Sequence, residues 1–65
     1  MNNAIGEMAG TIWNVLSEKG SLTVAKLKTA LKADPFILDA AIGWLAREDK
    51  IDVSKNKSSI TISLK

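Results

Sequence analysis

The spacing of apolar residues changes once along this chain, from the period of a helix to the period of a strand. Up to about residue 48, apolar residues recur every three or four positions, as on one face of an α-helix. From residue 51 onward apolar and polar residues alternate, as in half-buried strands, and the apolar members are Ile51, Val53, Ile60, Ile62 and Leu64. The change predicts helices first and a β-hairpin last, and therefore an α+β fold.

Capping residues divide the helical part into three segments. Lys19 followed by Gly20 is a typical helix end, because a cation suits the last turn and glycine accepts positive φ. Thr23 and Asp34 offer side-chain oxygens to the first free amides of a helix, and Pro35 suits the first helical position. The predicted helices are 3–18, 24–32 and 35–48, with a short strand at 21–23.

The apolar faces of these elements predict one shared core. Its predicted members are Ile12, Leu16, Leu27, Leu31, Leu38, Ile42, Leu45, Ile51, Val53, Ile60, Ile62 and Leu64. Trp13 and Trp44 continue the apolar arcs of the first and third helices, so we interpret them as core residues. Phe36 falls on the outer face of the third helix and is predicted to be exposed.

The turn of the hairpin is predicted at residues 55–58. Asn and Ser are typical turn residues, and Asn56 is able to adopt the left-handed backbone conformation. Lys55 and Lys57 are then the two cations at the tip of a short hairpin.

Length and composition limit the class of protein. The 65 residues are expected to form a single domain, 1–65. The absence of cysteine and histidine excludes disulfides, Cys/His zinc sites and His-dependent nucleophiles. No set of acid, base and nucleophile converges, so we expect no enzyme, metal, cofactor or small-molecule substrate. The sequence shows no signal peptide and no membrane span, so a cytoplasmic protein is expected.

Charge is unevenly distributed, although the net charge is only +2. Residues 19–33 carry four lysines and no acidic residue, and residues 50–65 carry four lysines and one aspartate. The acidic residues are concentrated in 1–18 and 34–49. The second helix and the hairpin are therefore the basic parts of the chain.

The order of elements, and two stretches in particular, resemble a winged helix-turn-helix domain. LTVAKLKTAL resembles the short strand and second helix of that fold, and DPFILDAAIGWLAREDKIDV resembles the third helix running into the wing hairpin. DP followed by AIGWLAREDKI is similar to a small prokaryotic single-domain family of uncharacterised function. The resemblance covers nearly the whole chain. It implies a DNA-binding fold in which the third helix reads the major groove and the hairpin is the wing.

That resemblance makes the basic residues candidates for contacts with double-stranded DNA in a transcription-related role. The candidates are Lys26, Lys28, Lys32, Arg47, Lys55 and Lys57. The outer face of the third helix carries Asp39 and small or apolar residues, which suit weak, sequence-tolerant binding. Asp49 stands where many winged helices have glycine, and aspartate tolerates the left-handed conformation better than most residues.

The alternative hypothesis is a protein-interaction or homodimerisation module that does not bind DNA. Phe36, Ala40 and Gly43 form a smooth apolar face on the third helix, and such a face is typical of a partner site. Gly43 reduces helix propensity by about 1 kcal/mol relative to alanine. Either that loss is tolerated, or glycine permits the close approach of a partner backbone.

Overall fold

A computed structural model describes residues 2–65 of the chain. Its elements are α1 (Asn2–Lys19), β1 (Ser21–Thr23), α2 (Val24–Leu31), α3 (Pro35–Arg47), β2 (Ile51–Asn56) and β3 (Ser59–Leu64). The predicted α+β fold, with its three-helix core, short first strand and C-terminal hairpin, is confirmed. We call the β2–β3 hairpin, residues 51–64, the wing.

The predicted caps determine where the second and third helices begin. The Lys26 amide donates a hydrogen bond to Thr23 Oγ1 at 3.2 Å, and the Phe36 amide donates to Asp34 Oδ1 at 2.8 Å. Pro35 occupies the first turn of α3, where no amide partner is needed. Gly20 ends α1 with φ +85°, and its amide donates to the Leu16 carbonyl at 2.7 Å. These local interactions set the helix boundaries close to those predicted.

Among residues 2–65, three residues other than glycine have positive φ: Lys32 at +49°, Asp49 at +61° and Lys57 at +55°. Asp49 thus has the left-handed conformation that aspartate tolerates better than most residues. In the wing, Lys57 takes this conformation and Asn56 does not. Asn56 pairs with Ser59, so it belongs to β2 and leaves a two-residue loop. In one of the favoured two-residue hairpin loops only the first loop residue needs positive φ.

Lys65 is held against the turn that follows α3. Its Nζ donates a hydrogen bond to Asp49 Oδ1, and its amide donates to the Lys50 carbonyl at 3.2 Å. The hydrogen bond to Asp49, with the attraction of the same carboxylate, raises the pKa of Lys65 above its ordinary value. The C-terminal residue thus links the end of the chain to the end of α3.

The sheet is antiparallel with the order β1-β3-β2, so β3 lies in the middle. Ile62 is the central apolar position, opposite Leu22 on one side and Val53 on the other. Ile51 pairs with Leu64 at the base of the wing, and Lys55 pairs with Ile60 nearer its tip. The register places all these side chains of the wing on the face turned toward the helices.

The core is formed by residues from all three helices and from the base of the wing. Its buried members are Ala9, Ile12, Leu16, Leu27, Leu38, Ala41, Leu45, Ile51 and Ile62. Leu45 is 4% exposed and Ile42 is half-buried, which confirms the predicted phase of α3. Phe36 is 64% exposed, as predicted.

The prediction that both tryptophans belong to the core is wrong. Trp13 is 43% exposed and Trp44 is 54% exposed. At 100° per residue, Trp13 lies about 70° and Trp44 about 90° from the centre of the buried arc of its helix. Each helix buries only a narrow stripe in so small a fold, and side chains at the edge of that stripe remain accessible to solvent.

The prediction that Val53 and Ile60 close the core is also wrong. Val53 is 50% exposed and Ile60 is 38% exposed, whereas Ile51 and Ile62 are buried. Val53 and Ile60 point to the same face of the sheet as Ile51 and Ile62, but they lie in the outer half of the wing. An open groove separates them there from α2 and α3, so their side chains stay accessible to solvent.

Candidate nucleic-acid interface

The uncovered part of the wing forms one wall of an open groove, which we call the wing groove. Its volume is about 460 Å³. It is lined by Val24 and Lys28 of α2, Asp39, Ile42, Gly43 and Ala46 of α3, and Val53 and Ile60 of the wing. The floor is therefore aliphatic, and only Lys28 and Asp39 carry charge.

A smaller recess adjoins the wing groove at the start of α2. It has a volume of about 280 Å³ and is lined by Thr23, Val24, Ala25, Lys28, Ser58, Ser59 and Ile60. Lys28, Val24 and Ile60 line both depressions. Lys28 thus stands where α2, α3 and the wing meet.

Asp39 partly offsets the charge of Lys28. The distance from Lys28 Nζ to Asp39 Oδ1 is 3.9 Å, and the two side chains are 42% and 61% exposed. An ion pair this exposed contributes little to stability, since water screens it. Its effect is on the potential of the groove, where Asp39 opposes the approach of an anion.

On the outer wing lie two of the six candidate DNA contacts, and one more lies in the lining of the wing groove. Lys28 lines it. Lys55 pairs with Ile60 and so shares the inner face of the wing, and Lys57 is in the loop beside Ser58. All three side chains are exposed. Helix α2 and the wing tip, which are far apart in sequence, meet at the recess that Lys28 and Ser58 both line.

The other three candidates are more scattered. Lys26 lies about 160° around the α2 axis from Lys28 and so points away from the groove. Lys32 follows α2 one turn beyond Lys28, on the same side of the helix. Arg47 is exposed in the last turn of α3, one turn beyond Gly43.

The three candidate partner contacts do not form one uniform surface. Gly43 lines the wing groove, Ala40 is half-buried and Phe36 is exposed. A Cβ atom added to Gly43 would meet no other atom within 4 Å. Packing inside the fold therefore does not require glycine at this position.

Sequence reasoning missed four exposed apolar residues: Trp13, Trp44, Val53 and Ile60. The position of Trp44 at the edge of its helical arc was an available signal. No local signal distinguishes Val53 and Ile60 from Ile51 and Ile62, because all four share the alternation of the wing strands.

The structure and the sequence agree with a described protein family. The winged helix-turn-helix domain family DUF2582 matches residues 1–64. The chain belongs to this family. It is also 42% identical over 64 residues to the uncharacterised protein MJ1608 of Methanocaldococcus jannaschii, a match that covers 94% of this chain and 90% of the relative. No solved structure matches the chain at a significant level.

Two further observations concern membranes and metals. Within residues 2–65, none of the helices of this winged-helix chain combines the length and apolar character needed to cross a bilayer. In the same residues no three side chains of the metal-binding types lie close enough together to hold an ion.

Proposed function

We propose that this winged-helix chain is a non-catalytic module that binds double-stranded DNA with little sequence specificity, in a transcription-related role. The observation that carries the proposal is the meeting of Lys28 with the wing tip at a groove beside α3. In helix-turn-helix proteins the helix corresponding to α3 enters the major groove, and flanking elements contact the backbone. We infer that lysines of α2 and the wing are such flanking contacts.

The proposed contacts are mainly with phosphates. Lys28, Lys55 and Lys57 are exposed cations that would neutralise phosphates and release condensed counterions. Contacts of this kind position a protein on a duplex without reading its sequence. The affinity should therefore be modest and should fall steeply as salt is added.

The groove side of α3 supports the expectation of low specificity. It presents Asp39, Gly43 and Ala46, none of which makes the bidentate contacts by which guanine or adenine is read. The aliphatic floor could still contact thymine methyl groups and sugars. Any sequence preference should then be a weak preference for A·T pairs.

The test is the affinity of the chain for a generic duplex, measured by fluorescence anisotropy at several salt concentrations. Each neutralised phosphate contributes about −0.9 to the slope of log K against log salt. Lys28→Ala and Lys57→Ala should each flatten the slope by roughly one unit.

Lys26→Ala is the matched control, because it removes the same charge from the same helix on the side away from the groove. It should leave the slope nearly unchanged. If Lys26→Ala and Lys28→Ala flatten the salt slope equally, only the net charge of the chain attracts the duplex. No binding of the wild-type chain at low salt would overturn the proposal.

A second candidate function is protein interaction or self-association through the outer face of α3. The exposure of Phe36, at 64%, favours it, since an exposed aromatic side chain on a smooth helix face is typical of a partner site. Binding through such a face should respond weakly to salt, in contrast to binding of DNA.

A further inference from the structure

Lys28 borders two depressions of the surface, and only one of them contains an acidic side chain. In the wing groove, Lys28 Nζ lies 3.9 Å from Asp39 Oδ1. In the recess, every lining residue other than Lys28 is uncharged. A phosphate at the recess would therefore meet the ammonium group without an opposing carboxylate, whereas a phosphate in the groove would meet both charges.

The pairing of Lys28 with Asp39 is weak enough to be exchanged for another. The two side chains are 42% and 61% exposed, so water screens their attraction. Within residues 2–65, neither side chain has a second ion-pair partner. A duplex phosphate attracts a lysine more strongly than one exposed carboxylate does, because neutralising it releases condensed counterions. We therefore expect Lys28 to change partners when a duplex binds.

We propose that the ion pair between Lys28 and Asp39 is an autoinhibitory contact that is broken when DNA binds. In the free chain Asp39 holds Lys28 at the wing groove. In the complex Lys28 pairs with a backbone phosphate on the side of the recess. Asp39 is thus a positioning residue, since it affects the duplex through Lys28. The inference rests on the proposed function and adds a means of regulating the same site.

A double-mutant cycle of Lys28→Ala and Asp39→Asn tests this contact. The affinity for a generic duplex is measured by fluorescence anisotropy at low salt. In the wild-type background Asp39→Asn should strengthen binding about 1.5- to 5-fold, the range that corresponds to one exposed ion pair. In the Lys28→Ala background the same change should have little effect, because no ammonium group remains to be released. An equal gain in both backgrounds would overturn the proposal, since Asp39 would then repel the duplex directly.

Two further variants separate the contact from the net charge of the chain. Glu7→Gln removes the same charge from the exposed side of α1, opposite its buried arc, and should strengthen binding less than Asp39→Asn does. Asp39→Glu keeps a carboxylate that can reach Lys28 and should bind the duplex as the wild type does. If Glu7→Gln or Asp39→Glu strengthens binding as much as Asp39→Asn, the proposal is wrong. Far-UV circular dichroism of each variant checks that the fold is retained.

The ¹³C signal of the Asp39 carboxylate gives a direct readout of the exchange. When a duplex is added to the wild-type chain, this signal should move toward its position in free Lys28→Ala. In both states the carboxylate has lost the ammonium group. A signal that stays at its position in the free wild-type chain while the duplex binds would show that the ion pair persists, which would contradict the proposal.

Failure of this inference and failure of the proposed function give different results. If neither the wild-type chain nor Asp39→Asn binds a duplex at low salt, the proposed function fails and the inference fails with it. If both bind with the same affinity, the proposed function is retained and only the autoinhibitory contact is overturned.

Discussion

Replacing Gly43 with alanine should stabilise the fold. Gly43 lies inside α3, and a Cβ atom at this position meets no other atom within 4 Å. The gain in helix propensity is therefore not offset by a clash, and the free energy of unfolding should rise by about 1 kcal/mol. For a chain of this size, such a gain raises the melting temperature by roughly 4–8 °C.

Thermal and urea denaturation followed by circular dichroism would measure this gain. Gly10→Ala in α1 is the positive control, because a Cβ atom there also meets nothing within 4 Å. Gly20→Ala is the negative control, since its φ of +85° is unfavourable for alanine, and it should lower the free energy of unfolding by roughly 1 kcal/mol. A gain from Gly10→Ala without a gain from Gly43→Ala would refute the reasoning.

The same variant distinguishes the two explanations of this glycine. If a duplex or partner backbone approaches α3 closely at Gly43, the added methyl group should weaken binding while the fold becomes more stable. If the glycine is merely tolerated, stability should rise and binding should stay the same. Measuring both the free energy of unfolding and the binding affinity of Gly43→Ala separates these outcomes.

Three other predictions follow from burial and charge. Leu27→Ala removes a fully buried side chain and should reduce the free energy of unfolding by about 2–5 kcal/mol, whereas Ile42→Ala, at a half-buried position, should cost less in the same urea titration. Asp39→Asn removes an anion from the wing groove and should strengthen duplex binding, and unchanged anisotropy curves would contradict this. The pKa of Lys65 is raised, so its pairing with Asp49 stabilises the fold below pH 10.5 and is lost as the pH rises through the higher folded-state value. The stability difference between wild type and Asp49→Asn should therefore vanish at high pH, and a difference that persists there would have another cause.

The candidate site was only partly predictable. The lysines were identified as candidates from the basic composition of the second helix and the wing. That Lys28 meets Ser58, Ser59 and Ile60 of the wing depends on how the wing packs against α2. The ion pair of Lys28 with Asp39 joins residues on two helices, and no spacing rule within one helix predicts it.

Local residue patterns were enough to predict the order of the elements, the ends of the helices, the phase of α3 and the pairing of the wing strands. Each depends on residues close together in the chain: the caps Thr23 and Asp34, the stop at Gly20, and the alternation after Ile51. By contrast, the exposure of Trp13, Trp44, Val53 and Ile60 became evident in the folded chain. Exposure of this kind depends on how far one element extends over another, and that overlap is set by packing between segments distant in sequence.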